Sequence, residues 1–202
     1  MVGNYQGSDK GMGLRQIRVL GDPVLRKKAR KVTKFNDNLA NLVEDMTETM
    51  RNSNGVGLAA PQVDVTEQII AVETPQDEDE PGSGQLYIVI NPEVARSSKE
   101  MVDGLEGCLS IPGYVGEVTR HEAVTIKGQD LKGRKIRIKA RGFLARVFQH
   151  EIDHLSGELF IDKLTAPDRI WSVEEGKEEQ AEMQSVAIEL TPTELPLEWA
   201  EA

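Results

Sequence analysis

The chain contains a single cysteine, Cys108, so no disulfide can form within it. A lone thiol suits a reducing compartment, and the cytoplasm is the expected location. Also missing is any run approaching the roughly 18 apolar residues of a membrane-spanning helix, so no membrane association is expected. The first 14 residues are rich in Gly and polar side chains and hold no apolar segment. They read as a flexible N-terminal extension and not as a secretory signal. No internal repeat is present.

Positive charge is scarce too. The net charge is −10, but residues 173–202 hold nine Glu against one Lys, which leaves −2 for residues 1–172. A nearly neutral body with an acidic tail provides no global field for nucleic acid, so stable nucleic-acid binding is not expected. The local basic runs, residues 26–31 and 132–141, read as solvated faces.

What remains is an ordinary globular composition, 39% hydrophobic and 29% charged over 202 residues, enough for one domain. Leu39, Leu42, Val43, Met46 and Met50 recur at helical spacing, predicting a helix over about 36–51. Asn36 or Asp37 can cap its start, and Gly55 lies just past its end. Residues 74–84 form an acidic loop, and Leu86–Ile90 a short strand ended by Asn91-Pro92. Residues 124–127 and 136–139 flank the turn signals Gly128, Asp130 and Gly133, predicting an antiparallel hairpin. A second helix is expected over 142–155. The fold class is therefore α+β, antiparallel or mixed strands packed around a C-terminal helix. The expected division is an extension over 1–14, one folded domain over 15–165 and an acidic extension over 166–202, partly disordered or a surface helix.

That second helix carries His150-Glu151-Ile152-Asp153-His154, an H-E-x-x-H motif. Residues four apart stand one turn above each other, so both imidazoles reach one ion while Glu151 can hydrogen-bond a water beside it. A catalytic site of this type needs a third protein ligand. Downstream, Gly157 matches one extended form of the motif, but Phe160 stands where its third His should be. Glu174 and Glu175 qualify by distance alone, and lie in the tail's charge run. Upstream, Cys108 follows Gly107 just ahead of Ile111-Pro112-Gly113, and thiolate binds zinc or ferrous iron well. Cys108 is the best third ligand. His121, outside these motifs, is read as a surface residue.

Three blocks carry a resemblance: residues 55–62 (GVGLAAPQ), 106–110 (EGCLS) and 149–155 (QHEIDHL). In sequence, order and spacing they are similar to the signature motifs of the peptide deformylase family, and Gly21–Arg26 resembles that family's N-terminal segment. The resemblance covers about residues 15–165. It implies a metal-dependent hydrolase that removes the N-formyl group from the formyl-Met of newly made polypeptides, releasing formate. Cys108, His150 and His154 would hold one divalent ion, Fe2+ by resemblance, with Zn2+, Ni2+ or Co2+ able to occupy the same donors. Glu151 would transfer the proton, and Gln62 and the Leu109 N–H would face the oxyanion. Val56, Gly57, Gly107, Phe143, Arg146 and Val147 would bind the substrate, with Glu106 and Arg120 as supporting partners. The implied partners are a formyl-Met nascent chain and a transient ribosome contact, with the chain itself a monomer. Two alternatives stay open: a zinc endopeptidase using a tail Glu, and a non-catalytic metal-binding homologue.

Overall fold

The computed structural model describes residues 13–173. A five-stranded antiparallel sheet forms its centre: β1 (Gly57–Ala59), β2 (Ile69–Val72), β3 (Tyr87–Ser97), β6 (Ala123–Gln129) and β7 (Lys135–Arg141), in that spatial order. β4 (Met101–Cys108), β5 (Ile111–His121) and β8 (Ile170–Ser172) form a second antiparallel sheet. Two helices, α1 (Asp37–Asn52) and α2 (Gly142–His154), complete the architecture. Among the described residues no helix is long and apolar enough to cross a membrane.

The larger sheet is covered on both faces, and β2 shows how. All four of its residues are buried. Ile69 and Ala71 pack with Leu39, Val43, Met46 and Met50 of α1, while Ile70 and Val72 pack with Leu144, Val147 and Phe148 of α2. This is the two-residue alternation of a strand between two apolar layers. Burial of each large apolar side chain contributes about 1.5–3 kcal/mol, so the two layers fix the position of α2 relative to the sheet. A smaller core of Ile111, Val118, Leu159 and Phe160 seats the second sheet.

The helices match their expected spans within a residue or so. The Asn36 side chain accepts the Leu39 N–H and caps α1. At the start of α2, Glu80 of the acidic loop accepts the Phe143 N–H, placing a carboxylate at the positive end of the helix dipole. The hairpin expected from the two basic-apolar runs is β6–β7.

Three strand boundaries differ from the sequence expectation. β3 does not stop at Asn91-Pro92 but continues to Ser97 through a bulge at which Asn91 has φ 53°. The bulge absorbs the missing Pro N–H, and the Asn91 side chain bonds the Val32 N–H and C=O. The long β4–β5 hairpin was not expected at all, because β4 is interrupted by Gly104, Glu106 and Gly107 and lacks an apolar alternation. β8 carries the folded chain to Ser172, beyond the expected boundary at residue 165, by pairing Ile170, Trp171 and Ser172 with Gly116, Val115 and Tyr114. The expectations for residues 1–12 and 174–202, Glu174 and Glu175 included, lie outside the described residues.

Candidate metal centre

Helix α2 presents His150 and His154 one turn apart, their ring centroids 5.0 Å from each other. The end of β4 brings Cys108 to them, with its Sγ 3.3 Å from His154 Nε2. Donor atoms of the three residues lie within 4.8 Å of one another. Each imidazole is buried, and Cys108 is half-buried. His150 is aimed by a hydrogen bond between its Nδ1 and Glu106 Oε2 (2.9 Å), which turns Nε2 towards the thiol. Phe160, the residue that displaced a third downstream histidine, stacks on the His150 ring at 6.2 Å and closes the far side.

Burial governs the electrostatics. It would raise the Glu106 carboxyl, but hydrogen bonds from Arg120 and His150 hold it down at about 2. Burial lowers His150, and the neighbouring Cys108, Glu106 and Glu151 outweigh it and pull it well above an ordinary histidine. His154 is driven well below, by burial and by the charge on His150. The two shifts are linked: the acidic neighbours of His150 favour its proton, and that charge, with burial, keeps His154 neutral, so a single proton offsets the acidic side of a buried cluster. A divalent cation bound by neutral imidazoles and a thiolate neutralises it better. The donor set therefore fits a metal ion, since two imidazoles and a thiolate are ligand types that such an ion takes.

Glu151 stands beside this group. Burial pushes its carboxyl up to about 7 against the opposing pull of His150. Its Oε2 is buried with no hydrogen-bond partner among the described residues. The carboxylate lies so close to β1 that a Cβ on Gly57 would fall 2.2 Å from Glu151 Oε1. Gly57 is therefore a requirement of the approach between α2 and the sheet.

Gln62 sits in the single turn Ala60–Val63 that follows β1 and is buried. Its Oε1 accepts the Ala59 N–H (2.8 Å), which fixes the amide so that Nε2 lies 3.5 Å from Cys108 Sγ and 3.1 Å from Ser110 Oγ. The amide donor is thus held at the cysteine, and Leu109 follows directly in the chain.

One cavity of about 420 Å³ opens onto these groups. Val56, Gly57, Gln62, Gly107, Cys108, Leu109, Phe143, Arg146, Val147, His150 and Glu151, all singled out in the sequence, line it together. His154 alone lies behind the wall, 1% exposed. Arg146 lines the cavity while its guanidinium bonds the Val102, Gly104 and Val118 carbonyls and Glu106 Oε1. Sequence reasoning missed the β5 side of the rim, Tyr114 and Val115, and Val173 next to β8. Tyr114 is 53% exposed, an aromatic at the mouth that no local pattern marked.

The family model described as polypeptide deformylase matches residues 14–169. A peptide deformylase of Symbiobacterium thermophilum is 52% identical over 172 residues, covering 84% of this chain and 76% of the relative. One from Halothermothrix orenii is 51% identical over 155 residues, 76% of this chain and 95% of the relative. The crystal structure of the Thermotoga maritima peptide deformylase superposes with a TM-score of 0.71 at 41% identity, over 77% of this chain and all of that one. The Met-Ala-Ser-bound class I type b enzyme of Acinetobacter baumannii gives 0.71 at 35% identity, over 75% of this chain and 99% of that one. With the match spanning nearly all described residues, the chain belongs to the polypeptide deformylase family, metal-dependent hydrolases that remove the N-formyl group from nascent peptides.

Proposed function

We propose that Cys108 Sγ, His150 Nε2 and His154 Nε2 hold one divalent cation, Fe2+ in the native enzyme, and that the cavity beside it takes a formyl-Met peptide. The observation that carries this reading is the convergence of Glu151 and the Gln62 amide on the Cys108–His150–His154 group inside one cavity. When bound, such a cation lowers the pKa of a water towards neutrality and polarises the formyl oxygen.

Glu151 accepts a proton from the attacking water as its oxygen bonds to the formyl carbon. The formyl C=O becomes an oxyanion, and Gln62 Nε2–H and the Leu109 N–H donate to it. Glu151 then delivers the same proton to the amide nitrogen as the C–N bond breaks, leaving a free Met amine and formic acid, which gives up its remaining proton to solvent as formate. Glu151 is itself buried, so the proton it takes up stays at the site for the second transfer. Val56 and Gly107 offer backbone groups to an extended peptide, and Phe143, Val147 and the Arg146 stem face the Met side chain. A soluble monomer of the cytoplasm, in passing contact with the ribosome, accords with a substrate that is a chain still being made.

Formate release from formyl-Met-Ala-Ser by anaerobically prepared, metal-loaded protein tests the assignment, with unformylated Met-Ala-Ser as the control. Formate should appear only from the first peptide, and an inactive but fully loaded protein overturns the reading. Internal peptide cleavage that survives Cys108→Ala would favour an endopeptidase instead. Gly57→Ala should lower kcat by about 100-fold or more, because displacement of Glu151 by about 1 Å is enough to cost that much. Metal content, measured by atomic absorption, should be unchanged in that variant.

A further inference from the structure

We infer that Arg146 is a positioning residue for His150, acting through Glu106, and that Gly104 is glycine so that Arg146 can reach it. The inference rests on the ligand set proposed above. Glu106 is the carboxylate that aims His150, and its four contacts are divided between its two oxygens. Oε2 takes His150 Nδ1 (2.9 Å) and Arg120 Nη2 (2.9 Å), and Oε1 takes Arg120 Nε (2.8 Å) and Arg146 Nη1 (3.0 Å). A carboxylate offers about four acceptor positions, so this one is saturated.

Arg120 alone already grips Glu106 through a bidentate fork and is itself anchored to Asp153. A second guanidinium at the same carboxylate therefore needs its own reason, and its other contacts supply it. Arg146 Nη1 also donates to the carbonyls of Gly104 (3.2 Å) and Val118 (2.8 Å), and Nη2 to that of Val102 (2.7 Å). These acceptors sit on β4 and β5, and Arg146 sits on α2, one turn before His150. The side chain is 11% exposed. It therefore fastens the metal-bearing helix to the strand pair whose end carries Cys108. All three proposed ligands, His150 and His154 on α2 and Cys108 on β4, are thereby held together with the carboxylate that aims one of them.

Gly104 shows that the approach is built into both strands and helix. A Cβ there would lie 2.9 Å from Arg146 Nη2 and 3.0 Å from Cζ. The guanidinium is held by four acceptors and cannot swing aside cheaply. Gly104→Ala should therefore disturb Arg146 without altering its charge.

Cobalt substitution gives a test independent of turnover. Wild-type protein loaded with Co2+ should show a thiolate-to-cobalt charge-transfer band, and EDTA should strip the ion at a measurable rate. Arg146→Met keeps the apolar stem at the cavity and removes the fork. It should release cobalt about tenfold faster, the lower end of what loss of a ligand-orienting contact costs. Its d–d bands should shift as well. Gly104→Ala should move both cobalt readouts in the same direction, and Arg146→Lys should restore part of the release rate. Should Arg146→Met fail to fold, Gly104→Ala and Arg146→Lys carry the same comparison. Unchanged release and spectra in the folded variants, or a change confined to KM, overturn the inference and leave Arg146 a packing residue. If wild-type protein fails to form the thiolate band, the proposed ligand set itself falls instead.

Discussion

Glu151→Gln is expected to abolish formate release while leaving the metal bound. General acid–base catalysis by one positioned group contributes about 10²–10⁴-fold, and Glu151 is asked to act twice in one turnover. Loss of both transfers should therefore cost on the order of 10⁴ in kcat. Glutamine keeps the volume of the buried side chain and the close fit against Gly57, so packing should survive. No metal donor is removed, since the cation's proposed ligands are Cys108, His150 and His154. Single-turnover formate assays and metal analysis on the same sample check both halves. Equal loss of metal and activity would make Glu151 a ligand and sink the proposed division of labour.

That division was largely legible before the structure, because it is written in short-range patterns. His150, Glu151 and His154 are ordered by one helical turn, and Gly107-Cys108-Leu109 by adjacency. The α1 stripe and the β6–β7 hairpin were equally local. The sequence was silent where residues act across long separations. β4 is sheltered less by apolar side chains than by Arg146 and Arg120, which lie 28 or more residues from several of their partners. One of its two glycines, Gly104, makes room for Arg146, a role that no local pattern announces. Glu80, an anonymous member of an acidic loop, caps α2 across 63 residues. β8 escaped notice because three residues give no periodicity.

The same long-range network predicts the largest stability effect. Glu106→Ala should destabilise the fold by about 3–5 kcal/mol, the cost of leaving buried cations without their counter-ion. Arg120 is 6% exposed and Arg146 11%, and both direct a guanidinium at this carboxylate. With Glu106 gone, Arg120 keeps Asp153 as a partner and Arg146 keeps only carbonyls. The deficit is therefore real but shared, which argues for the lower half of that range. At 2–4 °C per kcal/mol for a domain of this size, the melting temperature should fall by roughly 10 °C. His150 simultaneously loses the acceptor on Nδ1, so metal affinity should drop 10–100-fold. Glu106→Gln separates the two effects, because the amide oxygen can still accept one hydrogen bond while the charge is lost. If Glu106→Gln melts as low as Glu106→Ala yet binds metal more tightly than it, charge holds the fold and hydrogen bonding aims the ligand. Wild-type melting in both variants would mean that Arg120 and Arg146 relax to solvent, and the network would then be a consequence of the fold and no part of its support.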